Sequence, residues 1–193
     1  VKMQEALQQA GGSATRRNHQ GIDVEHLLAA LLENDEGLAP SLLEAAGIAY
    51  TGTGIAGSAV AMDKHVSKTL FRRGGIPTAD WIAGTAVELT ADRIVQAVGM
   101  PCVVKPVDQG STIGLTVARS PEDLPGAVEK ASAFGARVMA EAFLPGRELS
   151  VPVLGDRALP VIEIRPSHEI YDYECEYTAG MSEYFVPAPI PEA

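Results

Sequence analysis

Residues 100–114, MPCVVKPVDQGSTIG, decide the fold. Cys102, Val103 and Val104 make a short β-rich run between Pro101 and a glycine-bearing loop, which reads as a strand. The run delivers Lys105 to the strand end, and the loop that follows carries Gly110, Ser111, Thr112 and Gly114. Glycines at those positions let a backbone approach a ligand closely, and successive loop N–H groups beside a lysine can hold an anion. The same pattern also fits a plain β-hairpin with a buried lysine stem. No GxxxxGK[ST] pattern is present, and the next run, residues 115–118, is again strand-like, so neither a P-loop nor a dinucleotide fingerprint fits this stretch.

Working outward, residues 90–98 read as a helix capped by Thr90, and Ser120 with Pro121 starts another that runs to Ala133. Residues 138–143, 149–154 and 159–164 are strand-like. Upstream, MDKHVSKTLFRRGGIP reads as a helix ended by Gly74 and Gly75. In it Leu70 and Phe71 face inward and Lys64, Lys68, Arg72 and Arg73 form the polar side. Pro77 opens a strand through Trp81 and Ile82. Residues 58–62 read as helix and 50–54 as a short extended piece. The order of elements predicts an α+β fold, not a regular βαβ series.

Residues 2–46 read as helices. Asp23 is an N-cap for residues 24–33, where Leu27, Leu28, Leu31 and Leu32 form one apolar stripe. Pro40 suits the first turn of the next helix, and Gly47 ends it. Gly11 and Gly12 interrupt the first helix at a cost of about 1 kcal/mol each relative to alanine.

The composition narrows the functional classes. Of 193 residues, 46% are hydrophobic and 21% charged, which describes a globular chain. A net charge of −10, from 25 acids against 15 bases, argues against nucleic-acid and anionic-membrane partners. An anionic ligand would therefore need a local cationic pocket. No apolar run approaches the roughly 18 residues of a membrane span, and the first residues lack a signal-peptide core, so a cytoplasmic setting is expected. Cys102 and Cys175 have no metal-ligand spacing and are expected as free thiols. His19, His26, His65 and His168 are scattered singly and read as structural or exposed. The first residue is Val1 and the last, Ala193, follows a Pro-rich run, so both ends read as cut.

Two resemblances follow from particular motifs. KMQEALQQA and RRNHQGIDVEHLLAALLENDEGLAPSLLEAAGI, over residues 1–48, resemble the first repeat of the Clp N-terminal domain; Arg17, Asn18, His19, Ile22, Asp23, His26, Leu27 and Leu28 carry the likeness. That implies a peptide- or adaptor-binding role for these helices. From residue 48 on, GIAYTGTG, AMDKHVSKTLF, PCVVKPVDQGSTIG, VMAEAFLPGRELSVPVLG, LPVIEIRP and YDYECEY resemble, in order and spacing, the D-alanine:D-alanine ligases of the ATP-grasp superfamily. The expected organisation is a helical Clp-like segment, residues 1–48, followed by an incomplete ATP-grasp domain, residues 49–193. LLEAAGI, residues 42–48, fits both families, so the junction reads as a recombination or fusion through a shared helix.

The ligase resemblance implies a reaction and a set of contacts. The γ-phosphoryl group of ATP passes to the carboxylate of one D-alanine, and the amine of a second attacks the acyl phosphate. Lys64 and Lys105 would contact the phosphates, with Gly110, Ser111, Thr112 and Gly114 covering them. Ser111 would help orient the substrate. Glu141, Ala142, Phe143 and Leu144 match the adenine hinge, and Glu148 would accept from the ribose hydroxyls, a task for an acceptor-only carboxylate. Tyr171 through Tyr177, with Tyr184, match a mobile closing loop in which Tyr177 is the inward anchor.

Departures from the family matter too. The loop YDYECEY has Glu176 where the family typically has a lysine that helps hold phosphate. The family's amino-terminal α/β domain is replaced by the Clp-like helices. The carboxyl-terminal part that carries the Mg2+ ligands is absent from this chain, so Mg2+ is expected for the family but no residue here is assigned to it. The expectation is a catalytically incomplete fragment or fusion, a scaffold without activity being the alternative, and its exposed apolar surface would favour a homo-oligomer.

Overall fold

The computed structural model describes residues 43–49 and 52–191. The helices read over residues 2–33, and most of the helix starting at Pro40, lie outside the described residues. The chain divides into two units, one ending at Val60 and the other beginning at Ala61.

In the first unit a helical turn at residues 43–45 ends where Gly47 takes φ 66 and Ile48 N–H donates to the Leu43 carbonyl at 2.8 Å. This is the glycine stop that the sequence predicts. Helix α1, Ile55–Met62, begins three residues earlier than expected, because the Glu44 carboxylate accepts from Ile55 N–H at 2.8 Å and satisfies a donor of its first turn.

The second unit is built on a four-stranded antiparallel sheet in the order β1-β4-β2-β3: Trp81–Gly84, Val138–Ala142, Cys102–Pro106 and Thr116–Ala118. Strand β2 alternates strictly, with Cys102, Val104 and Pro106 buried and Val103 and Lys105 on the opposite face. Two helices cover the buried face, α3 (Ala91–Val98) and α4 (Leu124–Ser132). Ile94, Leu124, Ala127, Val128 and Ala131 from these helices close on Cys102, Val104, Ala118, Val138 and Ala140, all at most 6% exposed. Thr90 caps α3 as expected, its side chain accepting from Arg93 N–H. A short 3-10 turn, Pro121–Asp123, precedes α4. Both cysteines are free and buried.

The other face of the sheet is met by helix α2, Lys64–Arg73, in an orientation that corrects the sequence reading. Lys68 is only 8% exposed, whereas Leu70 and Phe71 are 48% and 44% exposed. The stripe that meets Trp81 is His65, Lys68 and Arg72, spaced three and four residues apart, with Lys68 buried and Arg72 exposed. The indole N–H donates to His65 Nδ1 at 3.0 Å, and the Arg72 guanidinium lies 4.1 Å from the ring centroid. Cations seek the π face and the nearby carboxylate, so this helix presents its polar side to the sheet.

The chain then forms a three-stranded antiparallel sheet, β5-β8-β9 (Glu148–Ser150, Ile162–Pro166, Ser182–Phe185), and a two-stranded hairpin, β6 (Val153–Leu154) with β7 (Arg157–Ala158). The single strand expected over residues 149–154 is split by Pro152, which has no N–H for a ladder. The strand expected from Leu159 starts instead at Ile162, past Pro160, for the same reason. Helix α5, Tyr173–Tyr177, forms where a loop was expected; Asp172 caps it by accepting from Cys175 N–H at 3.0 Å.

Candidate functional site

Strand β2 ends at Pro106, and the chain after it forms a loop stapled at its start, at Val107 and Gln109. Lys64 N–H donates to the Val107 carbonyl at 3.1 Å; its ammonium donates to the same carbonyl at 3.2 Å and also to the Gln109 carbonyl. At the far side Gln109 Nε2 donates to the Phe134 carbonyl at 3.0 Å. Beyond these staples Ser111, Thr112 and Gly114 take φ values of 47, 56 and 70. Left-handed backbone at two non-glycine residues is strained, of order 1–3 kcal/mol each, and such strain concentrates at ligand-binding sites. Gly114 is sterically required: a Cβ there would lie 2.8 Å from Phe134 Cδ2 and 3.0 Å from Pro106 Cγ.

The Lys105 ammonium emerges on the open face of the sheet beside the loop. It pairs with Glu141 Oε1, while Lys68 Nζ holds Glu141 Oε2 at 2.8 Å and Thr78 Oγ1 at 2.8 Å. The side chains of all three ionic partners are at most 19% exposed. Burial pushes the Glu141 carboxyl up, but the two ammonium groups outweigh it and hold the carboxyl below its usual range. Lys64 is held below its usual value, first by burial and then by repulsion from Lys105.

Two adjoining cavities open here, sharing Lys105, Thr112 and Leu115 in their walls. The larger, of 430 Å³, is lined by Glu141, Ala142, Phe143, Leu144 and Glu148 together with Ile170 and Tyr171. The smaller, of 160 Å³, is lined by Lys64, Gly110, Ser111 and Ile113. The larger cavity is apolar at Phe143 and Leu144 and carboxylate-bearing at Glu148; the smaller is cationic and rich in loop backbone. That division suits a flat ring joined to an anion.

Helix α5 closes the far side. Tyr177 OH and Ser111 Oγ lie 2.9 Å apart, so the loop after β2 and the segment 66 residues later meet directly. Tyr177 is nonetheless 59% exposed, and its ring rests on Tyr173 with centroids 4.6 Å apart. The inward anchor expected at Tyr177 is a hydroxyl contact only. Tyr171 and Tyr184 hydroxyls lie 2.8 Å apart, a contact that pushes Tyr171 up to about 12.

The structure thus gathers most of the predicted site residues, while Gly114 and Tyr184 line neither cavity. Lys105, Thr112, Glu141, Ala142, Phe143, Leu144 and Glu148 line the larger cavity, Lys64, Gly110 and Ser111 the smaller, and Tyr177 reaches Ser111. The sequence reading missed Lys68 and Trp81. The spacing of His65, Lys68 and Arg72 was a usable signal, as was the single tryptophan's need for a partner for its N–H.

Comparison with known proteins gives two family matches. Residues 70–193 match the family described as D-ala D-ala ligase C-terminus, and residues 1–55 match the Clp repeat N-terminal domain. A D-alanine–D-alanine ligase of Geobacter sulfurreducens is 39% identical over 170 residues, covering 88% of this chain and 54% of its own length. The crystal structure of the Bacillus anthracis D-alanine–D-alanine ligase complexed with ATP is similar with a TM-score of 0.63 at 31% identity, over 79% of this chain and 49% of that one. The VanG D-Ala:D-Ser ligase of Enterococcus faecalis gives a TM-score of 0.69 at 30% identity, over 81% and 47%. The chain spans about half the length of the relatives it matches.

Proposed function

The chain belongs to the D-alanine–D-alanine ligase family, and from that premise we propose that its cleft holds ATP for a carboxylate–amine ligation. The observation that carries this reading is the junction of the two cavities at Lys105, where a cavity walled by Phe143 and Leu144 meets a cationic, backbone-lined loop. The adenine occupies that cavity beside Phe143 and Leu144, and Glu148 accepts from the ribose hydroxyls. Lys64 and Lys105 face the phosphates together with the loop N–H groups of Gly110 to Thr112. Two ammonium groups in a partly dry cleft offset charge on a polyanion, which is the main protein contribution to phosphoryl transfer.

The ligation then proceeds in two steps. A D-alanine carboxylate oxygen attacks the γ-phosphorus and ADP leaves; the amine of a second D-alanine attacks the acyl phosphate, inorganic phosphate leaves, and the amine's proton passes to solvent. Ser111 orients the substrate, and the Ser111–Tyr177 contact closes α5 over the cleft, keeping water from an acyl phosphate.

Mg2+, which the family implies, does not fit the acids of this cleft. They are Glu141, held by two lysines, and Glu148, so no step is assigned to a metal. Glu176, in place of a phosphate-holding lysine, adds a repelling charge to α5. The chain by itself should therefore show little ligation.

We also assign two parts to the chain, residues 1–48 and 49–193. The Geobacter ligase alignment, at 88% of this chain, necessarily enters the residues matched by the Clp repeat, which supports a junction through a helix common to both families. The Clp match favours a separate peptide- or adaptor-docking role for the first part. The nucleotide site is tested by photolabelling with azido-ATP and peptide mapping. Label on peptides containing Phe143–Leu144 or Tyr171, competed by ATP, is expected; label confined to residues before Val60 would overturn the assignment.

A further inference from the structure

A second cluster of ligand-bearing side chains lies on the segment between β8 and β9. His168 follows the end of β8, Asp172 caps α5, and Cys175 sits in the helix that Asp172 caps. His168 Nδ1 and Asp172 Oδ2 are 2.8 Å apart. The Cys175 side chain points inward, with the residue 1% exposed and Sγ 3.7 Å from Ser167 Oγ. One ligand atom from each of His168, Asp172 and Cys175 lies within 4.8 Å of the others, and no other group of three such residues meets that spacing among the described residues.

The donor set is selective. An imidazole nitrogen, a carboxylate oxygen and a thiolate sulfur together suit a borderline-soft cation, while Mg2+ and Ca2+ demand oxygen cages. Across a tetrahedral zinc the ligand atoms stand roughly 3.4–3.8 Å apart, given zinc–ligand bonds of about 2.0–2.3 Å. The His168–Asp172 edge is already shorter than that, and Cys175 needs to approach by about an ångström, within reach of a χ1 adjustment. His168 and Asp172 side chains are 38% and 33% exposed, which leaves an entry path on the solvent side. The second Asp172 oxygen stays on Cys175 N–H, an outer contact that holds the carboxylate in place.

We propose that His168, Asp172 and Cys175 form a three-protein-ligand site for a thiophilic divalent cation of the zinc type, beside a 550 Å³ cavity that His168 lines together with Phe143, Leu144 and Glu148. Binding forms N–metal, O–metal and S–metal bonds, breaks the His168–Asp172 hydrogen bond, whose proton passes to solvent or to the other imidazole nitrogen, and releases the Cys175 thiol proton to solvent. Its consequence is mechanical. The cation ties the end of β8 to α5, two residues before Tyr177, whose hydroxyl meets Ser111, so the metal fixes the turn that closes on the phosphate loop.

The test uses the full chain, with zinc titrated against a chromophoric chelator and cobalt(II) as a spectroscopic substitute. One zinc per chain is expected, undisplaced by excess Mg2+, with a sulfur-to-cobalt charge-transfer band. His168→Ala, at an exposed position that cannot disturb the core, should weaken zinc by about a hundredfold or more. Cys175→Ser should abolish the cobalt band, and thermal unfolding without metal would show both variants folded. Failure of the unsubstituted chain to bind zinc at micromolar concentration overturns the site. So does zinc affinity that both substitutions leave unchanged, since that would place the metal elsewhere.

Discussion

Glu141 carries more of the site than any other side chain, because its two oxygens fix Lys68 and Lys105 at once. With all three partners largely buried, removing the carboxylate strands two ammonium groups in low dielectric. Glu141→Ala is expected to destabilise the chain by about 3–5 kcal/mol in chemical denaturation, against less than about 1 kcal/mol for Asp80→Ala, whose pair with Arg72 is exposed. Glu163 offers a test by pH. It is 2% exposed and held by Arg147 and Arg165, and their hydrogen bonds lower its carboxyl from 4.5 to about 2. A lowered folded value means stability that is present above pH 4.5 and drains away as pH falls toward about 2. Replacing it, as in Glu163→Gln, should flatten the acid limb of a plot of melting temperature against pH in that window; an unchanged slope would contradict the pairing. Glu141 was legible in the sequence as a candidate but its ion pairs were not, since Lys68 lies 73 residues away.

At the scale of elements, the loop after β2 joins backbone strain to the site. Gly114→Ala is expected to cost about 1–2 kcal/mol for the left-handed backbone alone, and more once the Cβ meets Phe134 and Pro106. Because that loop lines the smaller cavity, nucleotide affinity should fall along with thermal stability. Ser111→Ala, by contrast, removes a hydroxyl contact with little effect on the fold. It is expected to free α5, seen as faster proteolysis after Tyr177 or faster amide exchange over residues 173–177. The elements that local signals specify were readable: β2 from its β-branched run, α3 from its Thr90 cap, the end of α2 from Gly74 and Gly75. The facing of α2 was not, because periodicity finds an apolar side, whereas here the sheet offers a tryptophan face and a carboxylate. The breaks at Pro152 and Pro160 could have been read from proline's missing donor.

At the scale of the whole molecule, the described sheet and loops bring the predicted nucleotide contacts onto one open face, although these contacts come from residues 64 to 177 of the sequence. The family resemblance picked these candidates out from motif order, although the chain spans about half of a relative. What motif order could not supply is the competition inside the site: Lys105 is already paired with Glu141, so a phosphate must draw it away or share it. The site therefore predicts modest affinity that depends on this one ammonium group. The decisive measurement is isothermal titration of the purified chain with ATP in the presence of Mg2+, run beside Lys105→Ala. Saturable binding with a dissociation constant of micromolar to millimolar order, equivalent to roughly −8 to −4 kcal/mol, weakened at least about tenfold by the substitution, is the predicted result. No heat of binding at millimolar ATP, or binding that Lys105→Ala leaves unchanged, would contradict a nucleotide site in this cleft.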